Sequence, residues 1–481
     1  SFPFAIVAQW DVIRACAGCR SWCIIGRMMD ATTMPVCKTM PVVGDLPLLA
    51  WKRLDHLLEL HKRHGDIFTL DVGFTTMVCL SHPALAQHVL RDQVKIYGKG
   101  NALWDAIRGL IGNGLPASEG TFWMRQRRMM QPHFHRESLV AMADLMVEAI
   151  DEELARWEVF ADSGKPLDLF VEMTRITMRV IVKTVFGSEL EQTQADVIAH
   201  EMRYALDFML FNMTTMKIPK WVPIPGRKRF KEAVEKIDAI VFDVIEKRKN
   251  IPERRGGALI DMLISAVDAD TNERMTHQEL RDEAISLFLA GYETTSSALG
   301  FAFRELNRQP KLLRDVVDEI DAVVGRGRPT FADARKLVLC LGVVQEALRL
   351  SGPVYWLPRT ALEDDVIAGH SIKKGQEVMI LTHVIHRHPE YWPDPERFDP
   401  ARFSPEAAQG RHPLAWMPFG AGQRLCIGKE FALMEGQFIL ARILAKYDIR
   451  PVYQSSATAE VGTTLRPAGG VMARVTRRVS S

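Results

Sequence analysis

Apolar residues recur at helical spacing over most of this chain. Ile427, Phe431, Met434, Phe438 and Ala441 step by four, three, four and three, which predicts a helix over about 428–446 with one buried face. A second helix is marked at both ends: Thr276 with Glu279 forms a capping box, and Pro310 follows the far end. About 30 residues lie between, or about 45 Å at the standard helical rise. Strand-like alternation is scarce. "IFTLDVG" and "TMVCLS" flank Gly73 as a hairpin, and "EVMIL" (377–381) reads as a later strand. An amphipathic helix at about 52–64 precedes the hairpin, entered through the Pro/Gly hinge at 41–49. From roughly 80 to 350 the pattern is helical, broken at 112–120 and 217–226. The expected fold is mainly α with a small β portion drawn from both chain ends, a single interleaved unit over 41–481. Residues 1–40 are expected to be a poorly structured extension.

Composition narrows the partners. Of 481 residues, 47% are hydrophobic and 25% charged, with a formal net charge of +2, so nothing favours nucleic acid. No run of 18 apolar residues occurs, so no transmembrane anchor is expected. We expect a cytoplasmic monomer. The seven cysteines are odd in number and unevenly spread, unlike a disulfide framework. Cys16, Cys19, Cys23 and Cys37 cluster, but with no second spaced pair and no histidine nearby they read as incidental rather than as a zinc or iron–sulfur site. The opening "SFPFAIVAQW" is cut short by Asp11, and we read it as part of the extension rather than as a targeting segment.

The chemistry concentrates in "FGAGQRLCIG", Phe419 to Gly428. A dinucleotide loop needs glycine where Leu425 stands, and a Walker loop needs Lys-Ser/Thr; both are missing. Cys426 lies just before the predicted helix, where free N–H groups and the dipole favour a thiolate, and Arg424 adds positive charge. Ligation of a metal is one way to keep such a cysteine ionised.

The stretch resembles Phe-x-x-Gly-x-Arg-x-Cys-x-Gly, the haem-binding signature of the cytochrome P450 family, through Phe419, Gly422, Arg424, Cys426 and Gly428. The resemblance runs from about Pro41 to Tyr453. It implies haem b with Cys426 as the iron's thiolate ligand. Arg424, with Trp123 and Arg127 of "WMRQR" and with Arg359, would contact the propionates. Phe419, Gly420, Gly428 and Ala432 would pack around the proximal side. "AGYETT" resembles the family's distal-helix pattern. Ala290 and Gly291 would leave room for dioxygen, and Thr294 with Glu293 would deliver protons. Read without the resemblance, Thr294 is a helix threonine bonded back to the Ala290 carbonyl, and Glu293 is a solvated charge. Glu346-x-x-Arg349 would form a buried network with Arg397 of "PERF" (395–398).

The implied reaction is insertion of one oxygen atom of O2 into a hydrophobic small molecule: terpenoid, fatty acid, steroid or polyketide-like. Electrons would come from NAD(P)H through an external reductase and a ferredoxin or flavodoxin-type donor, docked on a basic face at Arg125, Arg128 and Lys429. A solvated helix face is an equal reading of those charges. By analogy Trp104, Ile111, Phe208, Ser286, Val354 and Thr463 would line the substrate pocket. The hairpin stretch "GFTTMV" (73–78) lacks the basic residue and tyrosine with which some relatives hold a fatty-acid carboxylate, leaving Arg108 or Arg203 as substitutes. The alternatives are a peroxide-driven or rearranging haem-thiolate enzyme, and a haem electron carrier or sensor.

Overall fold

The capping box at Thr276 forms: Thr276 Oγ1 accepts from the Glu279 N–H at 3.2 Å, and the Glu279 carboxylate accepts from the Thr276 N–H at 2.8 Å. The computed structural model describes residues 34–478 apart from 38–39, 42, 74, 101, 216–223, 251–257 and 453–458. Eight helices matter to the site: α1 (Leu46–Lys52), α2 (Leu54–His64), α3 (Ala102–Ile111), α4 (Gly120–Met130), α5 (Leu169–Ile181), α6 (His277–Arg308), α7 (Val338–Ser351) and α8 (Lys429–Lys446). The capping box opens α6, which runs for 32 residues and is buried on nearly every side over 295–303. Such a helix is the axis of the core rather than a surface element. The helix expected at about 52–64 forms as α2, and the expected hinge before it holds much of a further helix, α1, set off by the turn at Arg53, whose φ is 55°.

The strands are few, and they come from both ends of the chain. β1 (Val36–Cys37), β2 (Ile67–Asp71), β3 (Thr76–Leu80), β4 (Tyr97–Gly98), β5 (Leu357–Ala361) and β6 (Glu377–Ile380) make one sheet in the order β1-β2-β3-β6-β5-β4. β2 and β3 are the predicted hairpin, in register Thr69 with Val78. β6 runs parallel to β3, opposite Val78 at Val378, and β5 pairs antiparallel to it with Arg359 opposite Val378. A separate hairpin, β7 (Ala459–Val461) and β8 (Leu465–Pro467), packs against α6. β1 lies inside the stretch expected to be an extension, with Cys37 a buried free thiol; Cys16, Cys19 and Cys23 lie outside the described residues. So does most of the break expected at 217–226. Among the described residues, no helix is long and apolar enough to cross a membrane.

Candidate active site

A cavity of about 360 Å³ lies between α6, α4, the 353–359 segment and the 418–428 loop, and Cys426 opens onto it. The loop's glycines shape the approach. Gly420 and Gly422 have φ of 72° and 68°, and a Cβ on Gly422 would strike the Leu90 carbonyl. The Cys426 N–H donates to the Phe419 carbonyl at 2.9 Å, closing the loop on itself. Burial pushes the Cys426 thiol up, and the Gly428 N–H and the Arg127 charge only partly offset it. Burial and helix-end position therefore oppose one another, and neither by itself fixes this sulfur as ionised. A cation bound at the sulfur would, since a coordinating thiol is deprotonated outright.

Four cations surround one end of the cavity. Arg424 stacks 3.9 Å over the Trp123 ring and donates to the Ser118 carbonyl at 2.7 Å. Arg127 donates to the Leu425 carbonyl at 2.9 Å, and Arg359 to the Pro358 carbonyl at 2.8 Å. Lys99 lies 4.3 Å over the Trp104 ring and donates to the Pro116 carbonyl. Among the described residues none of the four forms a salt bridge to a carboxylate. Glu119, the acid nearby, takes the Lys99 backbone N–H and lies 3.8 Å from Arg108. Burial pushes Arg359 and Arg424 down to about 10 and Lys99 well below its usual range. A buried cationic cluster calls for an anionic partner. A haem fits this donor set, its iron at the Cys426 sulfur and its two carboxylates among the cations. Lys99 escaped the sequence analysis, since "YGKG" carries no pattern; only its burial beside Arg359 and Arg424 marks it.

Along the α6 wall, Ala290 and Thr294 face the cavity. The Thr294 hydroxyl donates to the Ala290 carbonyl at 2.5 Å. Gly291 also reaches the lining, but a Cβ there would strike Ile181, so its smallness lets α5 approach α6 rather than making room for dioxygen. Glu293 does not line the cavity. Its Oε1 accepts from Thr464 Oγ1 at 2.7 Å and from Arg466 Nε at 3.2 Å. It is buried, and the expected solvated or relaying carboxylate is instead half of an ion pair with β8.

Phe419, Gly420, Gly428 and Ala432 line the cavity as expected sequence positions, and so do Trp104, Ser286 and Val354. Three other expected substrate contacts do not line it. Ile111 is buried in the core, Phe208 stacks on Tyr204 at 6.3 Å, and the Thr463 hydroxyl lies 3.5 Å from the Leu206 carbonyl. The Glu346–Arg349 pair is fully buried, at 2.7 and 2.8 Å. Its third member is not Arg397, whose side chain is 67% exposed beside Asp399. Arg402 takes that place, 3.3 Å from Glu346 Oε1, while Arg397 contributes only its carbonyl, to Arg349 at 3.2 Å. Arg125 and Arg128 are not free for docking either. Arg125 pairs with Glu273 and Glu279, Arg128 chelates Asp268 at 2.7 and 2.9 Å, and Lys429 lies 3.3 Å from Glu430.

Known proteins resemble this chain over most of its length. The cytochrome P450 family profile matches residues 34–470. A Streptomyces melanosporofaciens protein named cyclooctatin synthase is 31% identical over 436 residues, covering 89% of this chain and 90% of that protein. Cyclooctat-9-en-7-ol 5-monooxygenase of the same organism is 32% identical over 419 residues, covering 85% and 89%. The crystal structure of the cytochrome P450DA heme domain superposes with a TM-score of 0.84 at 27% identity, covering 93% of this chain and 98% of that one. With a family match over most of its length and a cysteine, a cation cluster and an apolar cavity arranged to receive a haem, this chain belongs to the cytochrome P450 family and is a cytochrome P450 monooxygenase.

Proposed function

We propose that the protein oxygenates an apolar, terpenoid-type small molecule, with electrons delivered by a separate ferredoxin or flavodoxin-type protein from NAD(P)H. The supporting observation is the cavity wall above Cys426, made by Leu115, Leu259, Leu287, Leu299, Val354 and Leu357. Such a wall excludes water and binds by area rather than by charge. Fatty acids fit less well. Arg108, one candidate to hold a carboxylate, is already bonded to Asp105 and to the Lys99 and Ala117 carbonyls. The relative named cyclooctat-9-en-7-ol 5-monooxygenase carries an alkenol in its name, which points the same way.

A haem held by Cys426 supplies the iron at which dioxygen is activated. The chain's own residues do the rest. Arg127, Arg359, Arg424 and Lys99 would hold its carboxylates. Thr294, hydroxyl against the Ala290 carbonyl, would relay a proton inward by rotating off that bond, taking a proton from water as it gives its own up. Glu293 keeps its turn of α6 anchored to β8.

Turnover of a terpene panel with NADPH and a surrogate ferredoxin–reductase pair, compared with peroxide alone, tests this reading. Oxidation only with peroxide would favour a peroxide-driven enzyme, and none under either condition would favour a carrier or sensor.

A further inference from the structure

Apart from three threonines, the cavity is apolar except at two places. One is the cation cluster at the haem end. The other lies on α6, where Glu283 and Ser286, one turn apart, face the cavity together. Glu283 is two turns, about 10 Å at the helical rise, from Ala290. Resting on the apolar-substrate reading, we propose that Glu283, assisted by Ser286, is a hydrogen-bonding anchor for a hydroxyl group on the substrate. The preferred substrate is then an apolar molecule that already carries one oxygen, and the class of reaction that supplies it is a prior oxygenation or a hydrolytic release of an alcohol.

The geometry makes the case. Glu283 is 1% exposed and Ser286 3%. One carboxylate oxygen of Glu283 accepts from the Leu115 N–H at 3.0 Å, which ties down the 112–115 turn. The other has no protein partner. Asp282 already holds the neighbouring Asn113 N–H at 2.8 Å, so the turn does not need both oxygens. The Ser286 hydroxyl is buried without a hydrogen bond. Two of the three threonine hydroxyls that line the cavity are taken: Thr184 bonds the Val180 carbonyl at 2.7 Å and Thr294 the Ala290 carbonyl. A buried hydroxyl left unmade is costly, so Ser286, beside the Glu283 oxygen that the Leu115 N–H does not take, marks where a ligand's polar atom belongs. Among the described residues no cation lies against Glu283; its charged neighbours, Asp282 and Glu279, are both acids, and burial pushes its carboxyl up to about 8. At neutral pH it can therefore donate as well as accept, which suits a neutral hydroxyl and disfavours a carboxylate.

The test uses the haem-loaded protein and optical titration with geraniol, farnesol and geranylgeraniol, each against its hydrocarbon lacking the hydroxyl. Wild type should bind the best alcohol about tenfold tighter than its hydrocarbon, a ratio worth about 1.4 kcal/mol. Glu283→Leu should erase that ratio by weakening the alcohol and not the hydrocarbon, Ser286→Ala should halve it or more, and Glu283→Gln should keep most of it. A merely structural Glu283 would weaken both ligands alike and leave the ratio unchanged, which overturns the proposal; so would equal binding by wild type. If Glu283→Leu fails to assemble, Ser286→Ala decides, since removing an unbonded hydroxyl leaves the fold intact. Binding of neither alcohol nor hydrocarbon would instead overturn the terpenoid reading beneath it.

Discussion

Glu293, the residue before Thr294 on α6, is held by Arg466 of β8: Oε1 takes Nε at 3.2 Å, with Thr464 Oγ1 at 2.7 Å on the same atom. Both side chains are largely buried, at 8% and 14% exposure. Removing one partner strands the other, so Arg466→Leu should lower stability by about 3 kcal/mol in urea unfolding. Pairing it with Glu293→Leu should restore part of that loss.

Thr294, unlike its neighbour, faces the cavity. Thr294→Ala should lower product formation on the order of 10²-fold, the usual weight of a positioned proton donor, with haem content unchanged. Glu293→Gln should lower it less and destabilise more. Turnover beside unfolding curves for the two variants separates the roles.

Arg402 and Arg397 make a controlled pair. Arg402→Ala leaves the buried Glu346 short of a partner and should cost about 2–4 kcal/mol with loss of haem on purification. Arg397→Ala removes an exposed side chain whose useful group is its backbone carbonyl, and should stay within about 0.5 kcal/mol. Reversal of that order would place the network at the other arginine.

The cation cluster should govern haem retention. Arg359→Leu and Arg424→Leu should each speed transfer of haem to apomyoglobin, and the pair more than either. If neither changes the rate, the cluster does not hold the carboxylates.

For Cys426 the sign is set by burial. Its thiol is raised above the ordinary cysteine range although the residue is open to the cavity. Alkylation by iodoacetamide at pH 8 should lag behind that of a free cysteine and accelerate only at higher pH. Haem should block it at every pH, and Cys426→Ala should remove the thiolate-type spectrum of the carbonyl complex.

Local signals were legible and distant partners were not. The capping box and the Phe431–Met434–Phe438 stripe are written within one helix, so α6 and α8 could be read within a residue or two. "PERF" and "PARF" lie five residues apart and differ in one letter, and only the path of the connector past Glu346 decides which arginine turns inward. Arg128 looks free until Asp268 arrives beside it from 140 residues away, and Glu293 looks like a relay until β8 covers it. Lys99 acquires its meaning only from Arg359 and Arg424, which reach it from two other parts of the chain.

The central sheet carries a consequence for biosynthesis. β4 bonds to nothing in the sheet except β5, with Tyr97 opposite Ala361, and β3 gains its outer neighbour only with β6. At ~5–20 residues per second, a ribosome leaves those edges open for on the order of ten to fifty seconds before the closing strands emerge. Exposed strand edges invite pairing with other chains, so yield should respond to translation speed and to chaperones that shield the amino-terminal hairpin.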